Sequence, residues 1–250
     1  MAKPKLALIP ASQGTKLYSV LPADGVGDFN FSRNSAATRI NKDGLIETVA
    51  VGKSRLNYPL IDGVVNGCPS HLLEPSRLQL IPYSEDFSQW TTIGSPIIIP
   101  NSNISPSGDL SAFQVDSTSA SEGSATLCNF IPSTTYTCSV FVKANTNKSI
   151  VKFGIGSSIF TSSRVSLTAH FNINAKSFST ETSAVENSGY EEMGNGWIRI
   201  WITGTTDISN ANLGWFVLYG NSYDNWSWIQ WGAQVEQGSY PTSYIPNYGT

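Results

Sequence analysis

Leu213-Gly214-Trp215-Phe216-Val217-Leu218-Tyr219, then Gly220-Asn221-Ser222-Tyr223-Asp224-Asn225, then Trp226-Ser227-Trp228-Ile229-Gln230-Trp231-Gly232-Ala233-Gln234-Val235-Glu236: two aromatic-rich runs flank a loop of Gly, Asn, Ser and Asp. Aromatic and β-branched residues fit a pleated, half-buried surface, so both runs read as strands, and the loop predicts a hairpin. Successive side chains on a strand point to opposite faces. In the first run Trp215, Val217 and Tyr219 oppose Phe216 and Leu218, apolar on both sides, which predicts a strand covered on both faces. In the second, Trp228, Gln230, Gly232, Gln234 and Glu236 oppose Ile229, Trp231, Ala233 and Val235. The pair reads as the closing strands of a β-sandwich.

Working outward, the same signals recur. Short apolar runs at 96–100, 111–115, 125–130, 136–144, 149–155, 165–171, 176–182, 188–193 and 196–203 are separated by turn residues, the spacing of a sandwich or jelly roll. No stretch keeps apolar residues at i, i+3, i+4 and i+7 over three turns. The fold class is all-β. Charged residues make up 13% and aromatics 11%, which suits strands with polar, uncharged outer faces.

Ahead of the sandwich, Pro4, Pro10 and Pro22 each fix φ, and two of the three lie amid small and polar residues. Residues 1–22 therefore read as an extended anchoring arm, not a regular element, with Leu6, Leu8, Ile9 and Leu17 as apolar beads for docking. Residues 23–90 read as a small irregular β-rich segment, in which Asn41-Lys42-Asp43-Gly44 is a turn and Gly44 supplies the positive φ. Residues 91–250 form the sandwich. Met1–Pro10 holds only a four-residue apolar run, short of a secretory signal, and no run reaches a membrane span.

The net charge is −3, unevenly spread: residues 1–58 hold 8 Lys/Arg against 4 Asp/Glu, while 181–250 hold 1 against 7. That asymmetry fits an N-terminal part facing an acidic partner, or two surfaces solvated differently. No basic stripe interleaved with aromatics exists, which speaks against nucleic acid. Three cysteines without a signal predict free thiols in a reducing cytosol, with a Cys128–Cys138 bridge across a turn as the alternative.

Several stretches are recognisable. Phe31-Ser32-Arg33 through Thr38-Arg39-Ile40-Asn41, Gly44-Leu45-Ile46-Glu47, Leu72-Leu73-Glu74-Pro75-Ser76-Arg77 and Tyr83-Ser84-Glu85-Asp86-Phe87 resemble segments recurrent in bacteriophage virion proteins. So do Trp231-Gly232-Ala233-Gln234-Val235-Glu236-Gln237-Gly238 and Thr242-Ser243-Tyr244-Ile245-Pro246. The resemblance implies a fibre, decoration or tail-associated protein, made in the host bacterial cytoplasm and placed on the virion surface. Its partners would be other virion proteins, held through the arm, and further copies of itself, a trimer in the case of a fibre. Thr135–Ala144 and 196–202 also resemble jelly-roll carbohydrate-binding modules, which implies a host surface glycan as a ligand.

Chemistry-bearing patterns are sparse. His71 and His170 lack metal-ligand spacing, Gly25-Val26-Gly27 is no phosphate loop, and no nucleophile elbow occurs. Glu85-Asp86 and Glu191-Glu192 are adjacent on the chain and so diverge on a strand, unlike the paired carboxylates of glycoside hydrolysis. Asp109, Asp116, Asp207 and Asp224 form no dense calcium loop. Neither enzyme, metal nor cofactor is expected. For a sugar, exposed rings would stack on C–H faces while amides and Arg bond hydroxyls. On that basis Arg199, Trp201, Trp228 and Gln230 form the candidate platform, with Tyr223 and Trp226 at its rim. The primary expectation is a structural virion protein; a glycan receptor module is second and a polysaccharide-degrading enzyme third.

Overall fold

The computed structural model describes residues 7–249 except Gly14 and residues 22–28, 120–121, 147–148, 161–164, 208–212 and 221–224; for 7–13, 17–21 and 29 it describes the backbone alone. The chain divides into two compact units, Met1–Pro75 and Ser76–Thr250.

In the first unit β1 (Ala7–Gln13), β2 (Lys16–Leu21) and β3 (Phe29–Asn30) form a small antiparallel sheet. The arm is thus extended but paired, where the prolines predict no regular element. Proline has no N–H for a ladder, and the register slips between Leu8 and Ser12, the stretch that holds Pro10. Leu8, Ile9 and Leu17 lie on these strands with side chains outside the described residues, and Leu6 lies outside them altogether. Next come β4 (Ala37–Ile40) and β5 (Ile46–Val49), joined by the expected turn: Asn41 Oδ1 accepts from the N–H groups of Asp43 and Leu45, and Gly44 has φ +78°. Four two-residue strands follow, β6 (Leu56–Asn57), β7 (Leu60–Ile61), β8 (Val64–Val65) and β9 (Ser70–His71), pairing β6 with β9 and β7 with β8. The buried Arg55 Nη1 donates to Thr38 O and to Glu74 Oε2, each at 2.9 Å, tying the unit's end to its first hairpin.

The second unit is a β-sandwich. Its strands are β10 (Thr91–Ile93), β11 (Ile97–Ile104), β12 (Leu110–Ser117), β13 (Gly123–Asn129), β14 (Thr135–Ala144), β15 (Ile150–Phe160), β16 (Val165–Asn172), β17 (Ser177–Glu181), β18 (Asn187–Glu192), β19 (Ile198–Thr205), β20 (Leu213–Gly220) and β21 (Trp226–Gln237). The front sheet runs β11-β12-β21-β14-β19-β18 and the back sheet β10-β13-β20-β15-β16-β17, six strands each, all neighbours antiparallel. The chain crosses between sheets repeatedly, so each sheet supplies one wall of a single core. Phe153, Ile155, Phe171, Phe216 and Leu218 come from the back, and Val140, Val142, Ile198, Ile200, Ile202 and Trp228 from the front. Every strand expected between 96 and 236 is present, and only the three-residue β10 was not foreseen.

The hairpin expected between 213–219 and 226–236 does not form. β20 sits in the back sheet between β13 and β15, whereas β21 sits in the front sheet between β12 and β14. Both strands are apolar enough to be central in their sheets, and two such strands are best buried in opposite walls of a sandwich. The connection between them includes residues 221–224, outside the described residues.

A second departure decides where the aromatic rings go. Opposite β14, Ser139 faces Gln234 but Phe141 faces Trp231, so β21 carries one extra residue over that stretch. This is a β-bulge, and Gly232 sits in it at φ +59°. A Cβ there would lie 3.0 Å from Phe141 Cδ2 and 3.2 Å from the Tyr244 ring, so only glycine fits. The bulge reverses the alternation. Before it Trp226 and Trp228 face the core; after it Ala233 and Val235 do, and Trp231 turns outward.

Residues 76–90, read from the sequence with the preceding segment, pack with the sandwich. Ile81, Phe87 and Trp90 join its core. Leu80 N donates to Val235 O and Ala233 N to Ser84 O, so this segment takes up the edge of β21 beyond the reach of β12.

Candidate functional site on the outer faces of the sandwich

The expected platform does not assemble. Trp228 and Gln230 are fully buried between the sheets, and Trp226 lies in the same core. Arg199 and Trp201 do project from the opposite, outer face of β19, as Ile198, Ile200 and Ile202 fill the core. β14 separates β19 from β21, so even the outward residues of the two strands are not neighbours. Tyr223 lies outside the described residues. Strict alternation along β21 carried that expectation, and the bulge at Gly232 overturns it.

Around β14 and β21 the front sheet's outer face is roofed by the chain itself, while Trp201 on β19 lies over Gly189 and keeps intermediate exposure. Glu236, fully buried, accepts from Thr242 N at 2.8 Å, Thr242 Oγ1 at 2.6 Å and Gln234 Nε2 at 2.6 Å, with Arg77 Nε 3.9 Å away. Gln234 Oε1 accepts from Ile245 N. Arg199 donates to Thr242 O and Ser139 Oγ, and its guanidinium lies over the Phe141 ring. Tyr244 closes on Trp231 at 4.7 Å and on Phe141 at 5.8 Å between ring centroids, while its hydroxyl pairs with Ser84 Oγ. Gln79 Nε2 donates to Ala233 O and Ile245 O, binding the leading and trailing segments of the unit together. Burial pushes the Tyr244 hydroxyl's pKa well up, with the Glu85 carboxylate adding to it. These rings and the guanidinium are structural, since no sugar reaches them.

The back sheet's outer face is built differently. Phe216 and Leu218 point into the core, so Leu213, Trp215, Val217 and Tyr219 point out. Trp215 is 39% exposed and its cross-strand partner Leu127 is 38% exposed, with Leu213 more open still. The next pairs along are Val217 with Ala125, both buried and low, and Tyr219 with Gly123. A Cβ on Gly123 would strike Tyr219 Cα and Cβ at 2.6 Å, so the glycine lets β20 approach closely beneath the ring. On the other side of β20, Lys152 faces Tyr219 and Gly154 faces Val217. Lys152 Nζ stands 5.2 Å from the Tyr219 ring centroid, and His170 lies directly across from Lys152 on β16. Burial, and then the neighbouring Lys152 charge, hold the His170 pKa below its ordinary value. The result is two aromatic rings four residues apart on one strand, roughly 13 Å at the usual rise, with the buried Val217, Ala125 and Gly154 between them.

The signal for this face was present in the alternation of β20, but an all-apolar strand read as covered on both sides. Strand order alone shows which side stays open.

The remaining polar groups have local roles. Asp86 accepts from the N–H and hydroxyl of Ser88 and caps the one-turn 3₁₀ helix Phe87–Gln89. Glu85 lines a cleft of about 530 Å³ with Tyr83, Asn101, Asn247 and Tyr248; burial raises its pKa, against a hydrogen bond from Tyr244. Asp116 accepts from Gln114 and Ser227, Asp207 is buried, and Asp224 lies outside the described residues. Among the described residues no group of three or more His, Cys, Asp and Glu is placed to hold a metal ion. No helix among them is long and apolar enough to cross a membrane.

All three cysteines are free, so the Cys128–Cys138 bridge is not made. Burial pushes the Cys128 thiol up to about 12 and Cys138 well above its ordinary value. Since the thiolate is the reactive form, one thiol, the exposed Cys68, is expected to react with a disulfide reagent at pH 8 in the native protein and three in denaturant. Prompt reaction of more than one native thiol would contradict the burial.

No family model and no curated protein matches this sequence. Among solved structures, the chain is similar to the CBM22-1–GH10 modules of a Clostridium thermocellum endo-1,4-β-D-xylanase complexed with xylohexaose. Identity is 13% and the TM-score 0.39, over 66% of this chain and 29% of that one. It is also similar to a Bacteroides thetaiotaomicron chain named, provisionally, a sugar binding protein, at 9% identity and a TM-score of 0.33, over 64% of this chain and 95% of that one. Neither likeness carries a ligand or an activity over to this chain.

Proposed function

We propose that this chain is a carbohydrate-binding β-sandwich borne on a bacteriophage virion, and that it binds through the outer face of the back sheet. One observation carries the reading: Arg199, Phe141 and Trp231 of the front sheet are roofed by the chain's own tail, while Trp215, Leu127 and Leu213 of the back sheet stay open beside Tyr219. A part-exposed indole beside Leu127 and Leu213 suits the C–H face of a pyranose unit, and a strand-borne ring is held without further ordering cost on binding. The action is binding; no catalytic role is assigned to any residue.

The virion setting is supported by the resemblance of the quoted segments. Four of these segments, Leu72–Arg77, Tyr83–Phe87, Trp231–Gly238 and Thr242–Pro246, contribute Arg77, Ser84, Glu236, Thr242 and Tyr244 to the network that roofs the front sheet. What recurs in such proteins is then a way of closing this sandwich. In the same reading Leu6, Leu8, Ile9 and Leu17 dock the N-terminal strands on another virion protein, and copies of the chain associate symmetrically.

A glycan array probed with the intact chain tests the proposal. Reproducible binding is expected, weakened at least about tenfold, or about 1.4 kcal/mol, in Trp215→Ala, with thermal stability little changed because the ring is part-exposed. An array without hits, or binding untouched in Trp215→Ala, would overturn it.

A further inference from the structure

The row of the back sheet's outer face that holds Tyr219 carries an uncompensated positive charge. Read across the sheet it runs Ile93, Gly123, Tyr219, Lys152, His170 and Thr180. Its titratable members are Lys152, His170 and Tyr219, and no carboxylate belongs to it. Lys152 makes no ion pair among the described residues, although the chain as a whole is acidic at −3. Its ammonium instead stands over the Tyr219 ring. Directly opposed basic side chains disfavour a sheet when both are charged. Here His170 is kept neutral near pH 7 by burial and by Lys152, which leaves the single charge on Lys152 at the edge of the aromatic trough.

We infer that the saccharide held on this face carries an acidic substituent, and that Lys152 is the residue that reads it. This rests on the carbohydrate reading of the same face. A ring stacked toward Tyr219 would bring a carboxylate, sulfate or phosphate group within reach of Nζ, and charge-assisted hydrogen bonds of that kind are the stronger ones. No acid of the row competes for the ammonium. A neutral sugar would leave Lys152 with only the cation–π contact it already has.

The test is calorimetric titration of the intact chain with a uronic acid oligosaccharide, with the same oligosaccharide after carboxyl reduction, and with inorganic phosphate alone. Wild type is expected to bind the acidic oligosaccharide at least about tenfold more tightly than the reduced one, equivalent to about 1.4 kcal/mol. Raising salt should narrow that gap, and phosphate alone should bind only weakly. Lys152→Gln should abolish the preference while keeping affinity for the reduced form, and Lys152→Arg should restore most of it. Equal binding of both oligosaccharides by wild type, or an unchanged preference in Lys152→Gln, overturns the inference. Phosphate binding as tight as the acidic oligosaccharide also overturns it, as the site would then be one for a free anion. The arms separate the two readings: if Trp215→Ala leaves both affinities intact, or if nothing binds, the carbohydrate reading itself fails; if Trp215→Ala weakens both but Lys152→Gln changes nothing, only the acidic specificity fails.

Discussion

Trp228→Ala is expected to destabilise the chain by about 3–5 kcal/mol, the usual cost of truncating a buried Trp or Phe. The indole is fully buried, flanked across the ladders by Val115 and Ala144. Its Nε1 donates to Gln230 Oε1 at 2.8 Å, and the same amide's Nε2 is buried without a partner among the described residues. Removing the ring therefore opens a cavity and also leaves a buried carbonyl unpaired, a further cost of about 1–3 kcal/mol if no water enters. Urea denaturation measures the loss. A change under about 1 kcal/mol would mean that Trp228 lies on a solvated face, as strict alternation along β21 predicts.

Deletion from Tyr240 onward is expected to cost more, above about 5 kcal/mol, which is comparable to the whole margin of a typical domain. It removes both hydrogen bonds from Thr242 to Glu236 and the carbonyl that Arg199 donates to, and it bares Phe141 and Trp231. Glu236 keeps Gln234 Nε2 and the nearby Arg77 but loses both Thr242 donors, while two large aromatic rings pass into water. Glu236→Gln within the intact chain isolates the polar part: the amide keeps one acceptor for Thr242, so a smaller loss of about 1–3 kcal/mol is expected. Should the truncated chain unfold at the same urea concentration as the full one, the roof would be decoration, and the front sheet's aromatics would be open to ligands after all.

The sandwich itself was legible because its strands are short, aromatic and β-branched, and punctuated by Gly, Asn and Pro. Ile198, Ile200 and Ile202 face the core as plain alternation along 196–203 predicts, because β19 is a regular strand. The failures come from single backbone events that alternation does not encode. A glycine in a run of aromatics, Gly232, shifts every later side chain of β21 to the other face. The Gly220–Asn225 loop reads as a hairpin, yet the strands it joins belong to opposite sheets. Local composition cannot distinguish a turn within a sheet from a crossing between two. The roof over the front sheet was equally hidden, because it depends on Gln79, Ser84, Glu236, Thr242 and Tyr244 meeting across about 160 residues of chain. The resemblance pointed at those segments, though to their recurrence and not to their contact. Trp215 and Leu127 were overlooked as an open pair since neither sits in a motif.

Hydroxyl-radical footprinting of the tryptophans, with and without a saccharide bound, tests the central claim most directly, that the chain's own tail covers Trp231 on one outer face of the sandwich and Trp215 stays open on the other. Trp215 should be oxidised readily in the free chain while Trp197, Trp228 and Trp231 stay protected, and the saccharide should protect Trp215. Oxidation of Trp228 or Trp231 as fast as Trp215, or a saccharide that protects them and leaves Trp215 reactive, would contradict it.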